Sequence, residues 1–214
     1  MTSTAKSDVL GRIRRALDER RAERSSDYQA IPRAYRQVGG LNPPARLTLF
    51  VTRLEDYGVG VYRCRPETLP HTIAQALDAN SRKRLIVPPA LPSDWLPANR
   101  EFIPDVELSY AELDGSAGVV TGCTVGIALT GTIVLCHSAL EGRRAVTLVP
   151  DYHLCIVGSD QVVETVPEAL RLIDAERPAL VTTISGPSAT ADIEMTRVKG
   201  VHGPRTLEVV LVER

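Results

Sequence analysis

From Arg46 onward, short apolar runs rich in β-branched residues alternate with segments of helical periodicity. Residues 84–87 form a compact apolar run that two prolines stop, whereas residues 70–79 place Ile73 and Leu77 on one helical face. A strand that is apolar throughout is buried on both sides, and helices between such strands are its usual cover. The alternation therefore predicts an α/β fold, with an open sheet and helices on both faces.

The same periodicity places the individual elements. Strands are predicted at 59–64, 84–87, 102–103, 117–121, 132–136, 154–157, 179–184 and 206–212. Helices are predicted from 47 to Gly58, at 70–79, after a cap at Ser109, at 165–173, and from the loop at 185–188 through about 198. At 214 residues, the chain suits one domain of this kind with an appendage.

The appendage is at the N-terminus. Residues 7–24 predict a charged amphipathic helix with Val9, Ile13 and Leu17 on its apolar stripe, and residues 25–44 contain several prolines and glycines. We therefore divide the chain into an N-terminal helix and linker (1–45) and a single α/β domain (46–214). The helix either lies on the body of the protein or docks a partner.

Composition excludes several classes of function. The net charge of −1 and the 4% of aromatic residues give no basis for binding nucleic acid. No apolar run is long enough to span a membrane, and the first nine residues lack a signal-peptide core, so we expect a cytoplasmic protein. The four cysteines form no CxxC pair, and Cys136 beside His137 is more typical of a core strand than of a metal site. We expect no metal and no cofactor in this chain.

The loop that follows the predicted strand 179–184 is the first candidate site. Its ligand-binding candidates are Ser185, Gly186, Ser188 and Thr190. If a helix begins here, its free backbone N–H groups and its dipole would favour a phosphate or carboxylate at the carboxyl end of the sheet. The alternative is a polar turn in which Ser188 or Thr190 only caps the helix.

A second candidate loop carries Gly126, Thr130, Gly131 and Thr132. Glycine lets the backbone approach a ligand closely, and threonine hydroxyls can donate to anionic oxygens. The two familiar nucleotide-binding fingerprints, GxGxxG and GxxxxGK[ST], are absent from the sequence. The loop therefore predicts a small-anion or nucleotide-like pocket without identifying the ligand.

His202 and Asp192 are the catalytic candidates. His202 lies between glycines, where it could exchange a proton or contact an anion near neutral pH, or simply bond to the backbone. Asp192 falls in the first turn of the predicted last helix, where offsetting the helix dipole is reason enough for an acidic residue.

These motifs resemble the lactate-utilisation protein C (LutC/YkgG) family, whose domain is called LUD. The resemblance covers roughly Arg46 to Glu213. The matching residues are Gly126-Ile127-Ala128, Thr130-Gly131-Thr132, Leu148-Val149-Pro150, Ile184-Ser185-Gly186-Pro187-Ser188, Thr190-Ala191-Asp192-Ile193-Glu194 and Gly200-Val201-His202-Gly203-Pro204.

The resemblance implies a fold similar to the NagB/RpiA/CoA-transferase group. It also implies a role in oxidising L-lactate to pyruvate, beside partner subunits that carry the iron–sulfur clusters. The chain departs from the family at two positions: Leu129 stands where members usually carry a glutamate, and Ala189 where they often carry an arginine. Relatives in the wider fold group use a glutamate as nucleophile or base, and an arginine would pair an anion bidentately.

Three functions follow as hypotheses. The first is an accessory subunit of a lactate-oxidising system, with a small anion or a nucleotide-like molecule in its pocket. The second is a stand-alone enzyme acting on a phosphosugar or a CoA ester. The third is a non-catalytic module that docks through the N-terminal helix.

Overall fold

The computed structural model describes residues 6–17, 30–32, 34–80, 82–191, 197–199 and 203–214. Its backbone divides into two units, residues 1–36 and residues 37–214. The first unit contains helix α1 (6–17), which overlaps the helix predicted over 7–24; residues 18–24 lie outside the described residues. The second unit contains the sheets and the remaining helices described below. Among the described residues, no helix is long and apolar enough to cross a membrane.

The elements of the second unit alternate along the chain. The helices are α2 (Pro43–Asp56), α3 (Leu69–Ala79), α4 (Tyr110–Asp114), α5 (Arg144–Leu148) and α6 (Val166–Glu176). The strands are β1 (Gly60–Cys64), β2 (Arg84–Val87), β3 (Glu101–Pro104), β4 (Val119–Thr121), β5 (Val125–Ile127), β6 (Thr132–Leu135), β7 (Tyr152–Gly158), β8 (Val162–Val163), β9 (Thr182–Ile184), β10 (Ala189–Ala191), β11 (Arg197–Lys199) and β12 (Thr206–Val212).

The main sheet has six parallel strands in the order β1-β12-β7-β4-β2-β3. Its centre is the pair β7 and β12, in which Val209 lies opposite Cys155 and β7 is buried along its whole length. Such continuous burial requires a cover on each face of the sheet.

Different elements cover the two faces. Helix α3 packs Ile73 and Leu77 against Leu154 of β7 on one face. On the other face, α2 packs Phe50 and Leu54 together with a second, four-stranded sheet of order β8-β5-β6-β9. Helix α6 closes the outer side of that second sheet. The α/β prediction is confirmed, and the second sheet is a layer that the sequence did not indicate.

Local signals in the sequence explain most element ends. Helix α2 begins at Asn42, whose side chain accepts a hydrogen bond from the Ala45 amide, and it ends before Gly58 at a φ of +76°. It therefore starts before the predicted domain boundary at Arg46. Ser109 caps α4 through a reciprocal pair of hydrogen bonds with Glu112, as the spacing predicts.

The helix predicted after Ser188 is wrong. Residues 189–191 and 197–199 are instead extended, and they pair antiparallel with Thr190 opposite Val198. The Ser188 amide donates a hydrogen bond to the Pro204 carbonyl at 2.8 Å, immediately before the extended residues 189–191. Antiparallel pairing of these two segments has overridden a weak local helix preference. The anion cradle at a helix N-terminus therefore has no basis in residues 189–191.

The buried polar residues of the main sheet include Glu208, His153 and Thr121. The carboxylate of Glu208 accepts hydrogen bonds from Tyr152 (2.6 Å), Tyr62 (3.2 Å) and Asn80 (3.0 Å). The fully buried ring of His153 has its Nε2 at 2.7 Å from the Thr121 hydroxyl. Because that hydroxyl donates to the Gly122 carbonyl, Nε2 carries the proton and Nδ1 is an acceptor with no hydrogen-bond partner.

Burial of His153 predicts a loss of stability in mild acid. Burial lowers the pKa of His153 to about 4, from an ordinary value of 6.5. The unfolded chain therefore binds a proton between pH 6.5 and about pH 4 that the folded chain does not. The free energy of unfolding should fall across this window by about 3 kcal/mol from this group alone. Urea denaturation at a series of pH values measures the loss.

The variant His153→Leu should flatten the stability profile between pH 6.5 and about pH 4 without leaving an unpaired donor. His71→Gln is the control, because His71 is exposed. An equal pH dependence in wild type and His153→Leu would contradict this explanation.

Candidate functional site

The two loops singled out in the sequence meet in the structure. Strands β6 and β9 pair antiparallel, with Ile133 opposite Ile184. The Thr132 hydroxyl consequently lies 2.7 Å from the Thr130 hydroxyl and 2.8 Å from that of Ser185. These side chains form a continuous row of hydroxyls across the end of the second sheet.

The loop at 185–188 lines a cavity of about 300 Å³, which we call the serine-loop cavity. Its lining residues are Arg144, Thr147, Leu148, Thr182, Thr183, Ile184, Ser185, Gly186, Pro187, Ser188, Gly203, Pro204 and Leu207. Hydroxyl groups and one guanidinium dominate its polar lining, which suits a small anion. The volume is at the lower end of the range for ligand pockets, about 300–1,000 Å³.

The serine-loop cavity lies at an edge of the fold that the sequence did not predict. We expected the loop at the carboxyl ends of the parallel strands. Instead, it follows β9, a strand of the second sheet whose neighbour is antiparallel. Pro204 and Leu207 place the cavity near the amino end of β12.

Three of the candidate glycines pack against helix α2. A Cβ atom on Gly126 would lie 2.9 Å from the ring of Phe50. One on Gly131, at a φ of +58°, would lie 2.8 Å from the backbone of Arg53. One on Gly186, at a φ of +84°, would lie 2.7 Å from Tyr57. Packing is a sufficient reason for glycine at these positions, and their contact with a ligand stays a prediction.

The remaining candidates are placed only in part. Asp192 and His202 lie outside the described residues, so their catalytic roles stay predictions. The backbone of Thr190 belongs to β10, and its side chain also lies outside the description. Leu129, where the resemblance leads us to expect a glutamate, is 41% exposed and is absent from the lining of the serine-loop cavity.

Sequence reasoning considered His137 only as a metal ligand beside Cys136 and missed its position next to the serine-loop cavity. The Nδ1 atom of His137 lies 3.0 Å from the Gly142 carbonyl, and its Nε2 lies 2.8 Å from the Thr182 hydroxyl, which lines the cavity. His137 adopts a φ of +55°, which is uncommon for any residue other than glycine. His137 and Thr182 are 45 positions apart in sequence, so no local motif could have connected them.

A buried carboxylate fixes the turn that holds His137. Glu141 is fully buried and accepts hydrogen bonds from the Thr124 hydroxyl (2.6 Å) and the Ser138 amide (3.0 Å). The amides of Glu141 and Gly142 both donate to the Ser138 carbonyl. The Gly142 carbonyl therefore stays pointed at the imidazole.

A second cavity, of about 350 Å³, lies at the carboxyl edge of the main sheet between the ends of β4, β7 and β12. Its lining includes Trp95, Leu140 and the buried residue Cys123. The neighbouring Cys155 thiol, together with burial, raises the pKa of Cys123, so the thiol stays protonated. The Gln161 amide is satisfied internally by the Cys123 carbonyl (2.6 Å) and the Gly158 amide (2.7 Å).

Comparison with known proteins finds a matching family model and several similar proteins. The family model described as the LUD domain matches residues 47–212. The lactate utilization protein C of Deinococcus radiodurans is 42% identical, over 99% of this chain and 97% of that protein. The protein YkgG of Escherichia coli is 36% identical over half of this chain and 47% of its own length.

A solved structure is similar as well. The crystal structure of a DUF162 family protein from Deinococcus radiodurans aligns with a TM-score of 0.71 and 40% identity. The alignment covers 81% of this chain and 99% of that one. This likeness supports the α/β architecture described above.

Gly186 provides a test of how helix α2 supports the serine loop. Gly186→Ala should lower the free energy of unfolding by about 2–4 kcal/mol, because it combines left-handed backbone strain with a collision against Tyr57. Gly58→Ala is the matched control: Gly58 has a φ of +76° with nothing within 4 Å, so it should lose only about 1 kcal/mol. Chemical denaturation of the full-length chain measures both, and equal losses would mean that the contact with Tyr57 contributes nothing.

Proposed function

The chain belongs to the LUD domain family, and from that membership we propose that it acts in lactate utilisation, as an accessory subunit of a system that oxidises L-lactate to pyruvate. The observation that carries the proposal is the match to the lactate utilization protein C of Deinococcus radiodurans, which extends over nearly the full length of both chains. A match of this extent includes the residues outside the LUD domain.

In this proposal the electron-transfer chemistry is on partner subunits that carry iron–sulfur clusters. Clusters of that kind are usually held by closely spaced cysteine thiolates. The four cysteines of this chain are Cys64, Cys123, Cys136 and Cys155, which form no CxxC pair. Such a system would operate in the cytoplasm.

Helix α1 is the surface that we assign to those partners. Val9, Ile13 and Leu17 repeat every fourth residue and are 55%, 49% and 56% exposed. Exposed apolar side chains on one helical stripe are typical of a face that buries itself in a partner's groove.

The serine-loop cavity would hold a small anion in the same protein. Arg144 supplies a permanent positive charge among the residues that line the cavity, and Thr183 and Ser185 add hydroxyl groups to the same lining. An acidic residue in place of Leu129 is not needed for this role, because a negatively charged side chain would repel the anion in the cavity.

Anaerobic co-purification tests the proposal. The full-length protein, tagged and expressed in its native cell, should recover iron–sulfur proteins that mass spectrometry identifies. Ile13→Asp should abolish recovery by placing a charge in the apolar stripe, whereas Arg15→Gln, on the opposite side of α1, should retain it. A strain lacking the gene should grow poorly on L-lactate.

Unimpaired growth on L-lactate, together with no iron–sulfur partner, would refute the accessory role. Recovery of partners by Ile13→Asp at the wild-type level would refute only the assignment to α1.

A further inference from the structure

The cavity of about 350 Å³ at the carboxyl edge of the main sheet, which we call the carboxyl-edge cavity, has no part in the proposed function. It lies where β4, β7 and β12 end. A protein cavity of about 150 Å³ is large enough to hold benzene. The carboxyl-edge cavity therefore has room for a small molecule of one or two rings.

The apolar wall of this cavity is an edge of the protein core. Leu69, Ile156 and Val212 are at most 6% exposed and belong to the cluster that packs α3 against the main sheet. The ring of Trp95 packs on the same cluster, and Leu140 adds an aliphatic side chain from the loop after β6. Water against such a wall gains few hydrogen bonds, so an apolar ligand that displaces it is favoured.

The backbone of Gly122, in the polar part of the wall, is already hydrogen-bonded within the protein. Its amide donates to the Leu140 carbonyl at 2.9 Å. Its carbonyl accepts hydrogen bonds from the Thr121 hydroxyl at 2.8 Å and from the Cys155 thiol at 3.5 Å. Both lone pairs of this carbonyl are therefore used, and Gly122 offers a ligand neither a donor nor an acceptor.

The polar side chains of the lining are paired as well. Gln161 accepts a hydrogen bond from the Gly158 amide (2.7 Å) and donates one to the Cys123 carbonyl (2.6 Å). Arg214 and Asp160 form an ion pair at 2.8 Å, and both side chains are more than half exposed, so these charges lie toward the solvent. A charged ligand group would find its potential partners already neutralised by each other, whereas an uncharged ring needs no such partner.

We propose that the carboxyl-edge cavity is a binding site for an uncharged aromatic ring system. The ring packs against the indole of Trp95, because aromatic pairs gain energy from edge-to-face or offset contact beyond the area that they bury. The aliphatic side chains of Leu69, Ile156 and Val212 contact its remaining surface. This inference goes beyond the proposed function, which uses the serine-loop cavity and helix α1.

A titration that observes Trp95 tests the site, because Trp95 is the only tryptophan of the chain. In the ¹⁵N-labelled full-length protein at pH 7, its indole N–H gives a single NMR signal that needs no assignment. Unlabelled indole should move this signal to saturation, with a Kd of about 1 mM or tighter. Indole-3-carboxylate, which has the same ring and a negative charge, should bind at least about tenfold more weakly.

A second pair of probes tests the aromatic preference. Phenol and cyclohexanol carry the same hydroxyl on rings of similar size, and only phenol is aromatic. Phenol should bind about two- to tenfold more tightly, which is the range that contact with an aromatic side chain supplies. Ligand-observed NMR on Trp95→Leu should find phenol reduced to the affinity of cyclohexanol, whereas a loss of shape alone would weaken both alike.

A charge in the wall of the cavity should abolish the preference for an apolar ligand. Leu140→Glu places a carboxylate there and should weaken indole binding at least about tenfold. Leu170→Glu is the matched control, because Leu170 is 57% exposed on α6 and is not part of the cavity lining, so it should bind indole with wild-type affinity. If Leu140→Glu fails to fold, as judged by circular dichroism, the wild-type order of the four probes still decides the question.

Several results would overturn this inference. They are the absence of a saturable movement of the Trp95 signal with indole, equal affinity for indole and indole-3-carboxylate, and equal affinity for phenol and cyclohexanol. A saturable shift with inorganic phosphate would overturn it too, since the site would then bind an anion. Each of these results leaves the accessory role to the co-purification test, which depends on α1 and the partner subunits.

Discussion

The parallel pairing of β7 with β12 is the constraint on which the rest of the fold depends. The two strands pair over residues 152–158 and 206–212, and apart from His153 and Glu208 their buried side chains are mostly apolar on both faces of the sheet. Water cannot reach their backbone groups, so those groups bond within the sheet and both faces must be covered. Helix α3 covers one face, while α2 and the second sheet cover the other. The two cavities then lie at opposite ends of β12.

Helix α2, which covers one face of the main sheet, also packs against the candidate site. Its inner side is close to Gly126, Gly131 and Gly186, at distances that leave no room for a side chain. This close approach brings the Thr130–Thr132 turn and the loop after β9 together, and their hydroxyls form hydrogen bonds. The glycines that first read as part of a ligand cradle thus have a packing role as well. The same two loops therefore supply both the hydroxyl contacts and the close packing against α2.

The candidate site could be predicted from the sequence only in part. Ser185 and Thr132 were identified because hydroxyls beside glycine are a local pattern, and the structure places them 2.8 Å apart. The helix after Ser188 was wrong because its alternative, pairing of Thr190 with Val198, is not visible to local periodicity. The contact between His137 and Thr182 was missed for the same reason, since it joins the end of β6 to the start of β9. Glu141 was not singled out in the sequence, yet the fold buries it completely.

By itself, the sequence determined the class of fold, the runs that become strands β2 and β12, and the cap at Ser109, because these depend on neighbours within a few residues. Tertiary structure alone decided that β5, β6, β8 and β9 form a separate sheet, that the serine loop faces the amino end of β12, and that Thr182 contacts His137. Those outcomes depend on which distant segments lie side by side. Periodicity reveals which face of a segment is buried, but it carries no information about what that face is buried against.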